Sequence, residues 1–457
     1  MLFGTRIGRR YLKLQTPDYR EDRNGHSLLI WRQIPYWTVV DTELCNLLYK
    51  LDGGRSLDHA AGNTPLPGTI RTFLQSLIKI GVIIDVRSTM KSRSKSPRYD
   101  LAINDVTINL THKCNLECSF CYNRNLVDNA DCEVSEVEVI QFFEQARQCA
   151  SRNCTLTLSG GEPFLVPDKL FAVAEHSIQQ GIDTCVSTNG MLINDEHARQ
   201  ARSMGLKVYM SLDGHTSAVN DELRGEGSFD RILAGIKSLV RNNAYTGLTL
   251  TCHEGNYKHL GNYFHLAADL GVNELRFFPL KRTHGNRDNT FRPAKMHKLV
   301  TITHDILKRH PEFATLLKQD SVTLLMNKCR YLNCPQSCGM GFTTVLLDAD
   351  GWVYPCAYMN QPEFRIAEVR MQNFDFADTW KNSTALLNLR QQTSIESRHE
   401  TCMDCAVLSW CGGGCCGETH AETGKFDDIH PNCEDLQKSI IESFWLLSDH
   451  PNLMQVQ

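Results

Sequence analysis

Nineteen cysteines in a chain of 457 residues constrain this protein more than any other feature of its sequence. The N-terminal stretch MLFGTRIGRRYLKL carries charge but no long apolar run or small-residue cleavage site, and no later stretch approaches the ~20 apolar residues that cross a bilayer. A cytoplasmic protein that binds no membrane is therefore expected. In a reducing compartment disulfides do not persist, so this many thiols point to metal ligation, with soft sulfur favouring zinc or iron. Position sorts them. Cys45, Cys132, Cys149, Cys154, Cys185 and Cys252 lie singly among apolar or strand-like residues and read as core or incidental thiols. The rest gather in two regions. A formal net charge of -4 offers no general attraction to phosphate backbones, so no nucleic-acid partner is expected.

The length accommodates about three domains. Residues 1-86 read as a small winged helix-turn-helix-like domain. It has strand-like runs at 27–31 and 37–40, then Leu44, Leu47, Leu48 and Leu51 at helical spacing behind an Asp41 or Thr42 cap. A short helix follows from Ser56, then an apolar stripe of Ile70, Phe73, Leu74, Leu77 and Ile78 closed by Gly81. Residues 87-100 are polar and basic, bury little and read as a linker. Over 101-326, strand-like runs at 106–110, 155–158, 184–187, 207–210, 248–251 and 274–278 alternate with helices, the first announced by the capping box Ser135 to Glu138. Six such units imply an α/β fold, a partial (β/α)6 TIM-type barrel of parallel strands with function on the loops at their C-terminal edge. Residues 327-445 are cysteine-dense loops around one hairpin, 344–347 and 352–354, and 446-457 read as a tail.

The first strand of the alternating region runs into Cys114, Cys118 and Cys121, spaced C-x3-C-x2-C. Three sulfurs on one short loop suit three irons of a 4Fe-4S cube with the fourth iron open; the alternative is a zinc knuckle completed by His112 or a distant cysteine. With Phe120 just before the last cysteine, the spacing resembles the radical S-adenosylmethionine (radical SAM) superfamily. That resemblance assigns roles to the neighbouring loops. Gly160, Gly161, Glu162 and Pro163 would form the loop that holds the methionyl amino group, Ser187 and Asn189 would suit the ribose, and Ser211 and Arg224 would meet the ligand's carboxylate. Arg276 is a weaker candidate. Asp213 and Tyr209 lie near the same edge, where a solvated or packed role competes on at least equal terms with that of a general base, and no general base is assigned.

Cys338, the Gly351-x4-Cys356 segment, the run Cys402-x2-Cys405-x5-Cys411-x3-Cys415 and Cys433 resemble the SPASM extension, which carries two auxiliary 4Fe-4S clusters. By that resemblance Cys402, Cys405, Cys411 and Cys433 ligate a distal cluster, while Cys338, Cys356 and Cys415, with Cys334 or Cys329, ligate a proximal one. Cys416 is a surplus thiol beside a ligand. The cofactors implied are three 4Fe-4S clusters and S-adenosyl-L-methionine, whose reductive cleavage leaves a 5'-deoxyadenosyl radical. An external one-electron reductant such as flavodoxin or ferredoxin is the implied partner. Placed ahead of these parts, the N-terminal unit resembles the RiPP recognition element, which binds the leader of a ribosomal precursor peptide. Together they imply a peptide maturase that installs a thioether or carbon-carbon cross-link. A formylglycine-generating sulfatase-maturing enzyme and a non-enzymatic cluster-bearing regulator are the alternatives.

Overall fold

The computed structural model describes residues 7–87, 101–123, 133–286, 290–332 and 338–452. All but Arg87 of the linker, together with Cys132 and Cys334, lies outside them.

In the N-terminal unit the order is β1 (Tyr11–Leu14), β2 (Tyr19–Arg23), β3 (His26–Trp31), β4 (Tyr36–Asp41), α1 (Thr42–Tyr49), β5 (Asp52–Ser56), α2 (Leu57–Ala60), α3 (Gly68–Ile80) and β6 (Ile83–Asp85). Asp41 caps α1 by accepting the Leu44 N–H, and Gly81, at φ 91°, closes α3 in the left-handed conformation that glycine reaches without strain. Strands β1, β2 and β5 were not anticipated: β1 is only four residues long, DGGRS has no apolar residue and YREDR only Tyr19. Two three-stranded sheets result, β5-β1-β6 and β2-β3-β4. The second is a partition. Leu29 and Trp31 of β3 enter the unit's own core with Leu48, Leu74 and Leu77, whereas Leu28 and Ile30 join the main core on the other face. Burial on both faces is why Leu28-Leu29-Ile30-Trp31 reads as an uninterrupted apolar run.

The central region alternates β7 (Ile103–Asn109), α4 (Glu136–Arg147), β8 (Ala150–Ser159), α5 (Pro167–Gln179), β9 (Asp183–Thr188), α6 (Asp195–Met204), β10 (Lys207–Ser211), α7 (Ser217–Arg224), α8 (Ser228–Arg241), β11 (Thr246–Cys252), α9 (Leu260–Leu270) and β12 (Glu274–Pro279). The capping box forms as expected, Ser135 and Glu138 each bonding the other's backbone N–H. Strands β7 to β12 pair in parallel, in chain order.

Helices α10 (Met296–Arg309) and α11 (Ser321–Tyr331) precede the hairpin β13 (Thr344–Leu347) and β14 (Trp352–Tyr354), followed by β15 (Ala367–Glu368), α12 (Phe376–Asn382), α13 (Thr384–Thr393), α14 (Glu400–Met403), α15 (Leu408–Cys411), α16 (Cys416–Thr423) and α17 (Cys433–Asp449). The hairpin does not stand apart. β13 pairs in parallel with β7, Thr344 opposite Asp105 and Leu347 opposite Ile108, so the sheet reads β12-β11-β10-β9-β8-β7-β13-β14-β15. The boundary expected at 446 falls inside α17, which runs on to Asp449 because Leu447 continues its buried face after Phe444. No helix among the described residues is long and apolar enough to cross a membrane.

Candidate functional site

Alternation along the six parallel strands decides what each face can do. Val106, Leu156, Val186, Val208, Leu248 and Leu275 are buried in the main core, so their immediate neighbours point the opposite way. Those neighbours, Thr107, Thr157, Cys185, Tyr209, Thr249 and Arg276, line a single cavity of about 440 Å³. Cys185 thereby departs from its reading as an incidental core thiol: one residue from Val186, it is on the polar face, its sulfur 3.4 Å from Thr157 Oγ1.

The chain leaves β7 directly into the cysteine loop, and Cys114, Cys118 and Cys121 all stand in the cavity wall. The Cys121 N–H donates to the Cys118 carbonyl at 3.2 Å, a turn that spaces the last two thiols. The loop's start is pinned by Glu133, which accepts the Thr111 hydroxyl at 2.7 Å and the His112 N–H at 2.9 Å. His112 Nε2 lies 2.9 Å from Asp348 Oδ1, which removes that nitrogen from the zinc-knuckle alternative. Among the described residues no three His, Cys, Asp or Glu side chains converge as around one metal ion. Thiolates of a 4Fe-4S cube each take a separate iron and have no need to converge in that way. Partial burial pushes the Cys118 thiol up to about 11 against the pull of Arg224, so metal loading there has a proton to displace.

Gly160 and Gly161 serve a close approach, though to the cysteine loop's own backbone. Gly160 has φ 143°, and a Cβ on it would stand 2.5 Å from the Thr111 carbonyl oxygen; on Gly161, 2.2 Å from that of Lys113. In exchange, the Gly161 and Glu162 N–H groups donate to the Thr111 and Lys113 carbonyls at 2.7 and 2.8 Å. Pro163 opens a buried 3-10 turn. Glu162 is fully buried and does not reach the cavity wall: Oε1 accepts Thr188 Oγ1 at 2.7 Å and the Phe164 N–H at 3.0 Å, and Oε2 accepts the Asn189 N–H at 2.8 Å. Burial raises its pKa despite these bonds. It ties the glycine loop to the loop after β9. There Ser187 and Asn189 line the cavity, and Asn189 Nδ2 donates to Asn115 Oδ1 of the cysteine loop at 2.7 Å.

Ser211 and Arg224 complete that wall. Arg224 is buried, its guanidinium 5.5 Å from the Phe120 ring centroid and its Nε 2.6 Å from Asp213 Oδ2. Asp213 is fully buried and off the cavity. Tyr209 is in the wall, but it donates to Glu274 at 2.9 Å and burial pushes its pKa far up, so it is no base. Arg276 belongs to β12 itself and pairs with Glu274 at 2.8 Å. Lys281 was missed in the sequence although it follows β12 by two residues: it lines the cavity 5.0 Å from the Tyr358 ring centroid and 3.8 Å from Glu418. The rule that loops at the strand C-termini carry function reaches it.

In the cysteine-rich region two groups form. Cys405, Cys411 and Cys433 each raise the pKa of Cys402 by their charge, on top of the burial that pushes it up to about 11. Cys338, Cys356 and Cys415 form the other, burial pushing Cys356 up to about 12. Cys329 is buried on α11, its carbonyl accepting Trp37 Nε1 at 2.8 Å. The donor set, glycine cradle and cavity size suit iron-sulfur clusters and a small polar cofactor.

Comparison with known proteins agrees. Residues 108–266 match the model of the Radical SAM superfamily and residues 338–406 that of an iron-sulfur cluster-binding domain, SPASM. The AdoMet-dependent heme synthase of Methanosarcina barkeri is 25% identical over 71% of this chain and 94% of its own length. The mycofactocin maturase MftC of Mycobacterium tuberculosis is 27% identical over 72% and 82%. Among solved structures, native anSMEcpe with bound AdoMet and Cp18Cys peptide superposes with a TM-score of 0.63 at 16% identity, covering 77% of this chain and 99% of its own. Streptococcus suis SuiB bound to precursor peptide SuiA gives 0.59 at 15%, covering 93% and 98%.

Proposed function

From a chain that carries a radical SAM domain followed by a SPASM domain, we propose an enzyme that cleaves S-adenosylmethionine reductively and modifies a ribosomally made precursor peptide, by a thioether or carbon-carbon cross-link. One observation carries the reading: the three thiols of the C-x3-C-x2-C loop, the glycine cradle and the polar face of all six strands meet in one cavity. When bound, the cluster and cofactor supply a one-electron cleavage of the sulfonium and the capacity to take hydrogen from an unactivated carbon.

The chain's own residues hold and orient. Cys114, Cys118 and Cys121 ligate three irons. Gly160 and Gly161 bring the second loop against the first, and Glu162 acts as a positioning residue that sets Asn189. Ser187 and Asn189 face a ribose, while Ser211 and Arg224 receive a carboxylate, with Asp213 holding the guanidinium and Phe120 flanking it. The strands curl round the cavity as a partial barrel, excluding water. Cys402, Cys405, Cys411 and Cys433 hold a distal auxiliary cluster, and Cys338, Cys356 and Cys415, with Cys334, a proximal one. That would make three clusters, and when bound the auxiliary pair would supply redox chemistry suited to accepting an electron. A flavodoxin- or ferredoxin-type donor supplies the reducing electron.

The N-terminal winged-helix unit takes the leader as an added strand on the β2-β3-β4 sheet, of which β2 is an edge. The SuiB superposition covers 93% of this chain against 77% for anSMEcpe, and that wider match supports a peptide maturase over the sulfatase-maturing alternative. A non-enzymatic regulator leaves the polar cavity without a purpose. Anaerobic incubation with S-adenosylmethionine and dithionite tests the first step: 5'-deoxyadenosine forms, and replacing all three loop cysteines by alanine abolishes it. Normal cleavage by that variant would overturn the reading. Mass spectrometry of a co-expressed peptide encoded beside this chain tests the second, a cross-link appearing as loss of two hydrogens.

A further inference from the structure

Thiols aside, the charged side chains of the cavity wall are all of one sign. Among the described residues Arg224, Arg276 and Lys281 line it, and no Asp or Glu does. The two arginines are neutralised from behind. Arg224 has Asp213 at 2.6 Å, while Arg276 has Glu274 at 2.8 Å, donates to Gln319 at 2.6 Å and lies 3.5 Å from the centroid of the Tyr209 ring. Lys281 has no such partner. Its Nζ makes no hydrogen bond among the described residues, and the one carboxylate oxygen within 4 Å there, Glu418 Oε2 at 3.8 Å, also faces His430 Nε2 at 3.6 Å. An ammonium carries three donors, so Lys281 keeps them for whatever occupies the cavity.

The lysine is also fixed in place. It follows β12 by two residues, and Asn286 Nδ2 donates to the Lys281 carbonyl at 3.0 Å and to the Phe120 carbonyl at 2.7 Å. One amide thereby ties the backbone of Lys281 to that of the cysteine loop, one residue from Cys121. Ala357 and Tyr358, just after Cys356, line the same cavity, and the ammonium lies 5.0 Å from the Tyr358 ring centroid. Lys281 is thus set where the cysteine loop and the cysteine-rich region share a wall, its side chain 34% exposed.

In the function proposed above, Arg224 takes the one carboxylate of S-adenosylmethionine. A second carboxylate in this cavity has to come from the substrate, and Lys281 is the cation without a close partner. A wall with no acidic side chain gives a basic residue nothing to pair with and favours an acidic one. Resting on the reading that a precursor peptide is modified here, we propose that Lys281 is a specificity-determining residue. It receives a carboxylate of that peptide, from an Asp or Glu side chain or from the C-terminus, and so selects which residue is presented for reaction.

The test uses the full-length, anaerobically reconstituted protein and the peptide encoded beside this chain. The peptide is made synthetically with each Asp changed to Asn and each Glu to Gln, one at a time, and once with an amidated C-terminus. Product is followed by mass spectrometry. With the wild type, one of these changes raises KM about tenfold, the loss of one charge-assisted contact, at nearly unchanged kcat. Which change it is tells a side-chain carboxylate from a terminal one. Lys281→Met raises KM for the unaltered peptide by the same factor, the sensitive change then has no further effect, and Lys281→Arg restores both. Iron counted on each variant checks cluster loading, and Lys281→Gln replaces Lys281→Met in the same comparison if the latter loses iron. Losses that multiply would mean that the two groups do not meet and would overturn the proposal, as would a wild type indifferent to every change. A wild type that cleaves S-adenosylmethionine but leaves the unaltered peptide unmodified overturns the reading of the function itself, and the role of Lys281 with it.

Discussion

The two oxygens of Asp213 are divided between a guanidinium and a strand: Oδ2 takes Arg224 Nε at 2.6 Å and Oδ1 the Thr251 N–H at 2.7 Å. The cavity-lining arginine is thus anchored to β11 by a carboxylate that lies off the cavity. Replacing Arg224 by Met strands a fully buried charge, and a loss of about 3–5 kcal/mol in denaturant unfolding is expected. Affinity for S-adenosylmethionine, measured by equilibrium dialysis, falls by about 10- to 100-fold for a lost charge-assisted contact.

Gly161→Ala puts a methyl 2.2 Å from the Lys113 carbonyl, where only backbone can give way. The expected result is a displaced cysteine loop: the S-adenosylmethionine-sensitive iron is lost from the reconstituted protein while auxiliary iron is retained. Retention of all iron would mean that the loop tolerates the shift.

Asp320 caps α11, with Oδ1 accepting the Val322 and Thr323 N–H groups at 3.0 and 2.9 Å, but its other oxygen is buried without a partner. Burial pushes its pKa from 3.8 up to about 6. The folded state then binds the proton more tightly than the unfolded chain, so this residue's contribution falls as pH rises from about 4 to about 6 and stays low above. Asp320→Asn, which keeps the accepting oxygen, removes that slope in urea titrations run at successive pH values.

Trp37 of β4 stacks on Phe444 of α17, ring centroids 4.6 Å apart, and donates to the Cys329 carbonyl. Trp37→Ala costs about 3–5 kcal/mol at the contact between the N-terminal unit and the main body. Peptide-independent production of 5'-deoxyadenosine stays at the wild-type rate, while turnover of the leader-bearing peptide drops at limiting peptide concentration.

Much of this was readable from side-chain order. The six strands and the capped helix between the first two announce themselves by period, and the cysteine loop by spacing, because local rules produce both. Cys185 shows what a local rule overlooks. Its neighbours look apolar, but in Thr184-Cys185-Val186-Ser187 it occupies the phase of Ser187, and that alternation carries it into the cavity. Glu162 shows another limit: a carboxylate beside two glycines reads as facing a cation, whereas its partners Thr188 and Asn189 come from the end of β9 and the loop after it, and only pairing of the strands brings them together. Strands β1, β2 and β5 escaped because tertiary pairing, not propensity, makes them strands.

The placement of β13 against β7 has a bearing on any attempt to divide the protein. Cutting the chain between the two iron-binding regions would strip a neighbour from the strand that leads into Cys114, baring its hydrogen-bonding groups to whatever edge came along. The joint that looks natural along the sequence is a seam sewn through one continuous sheet.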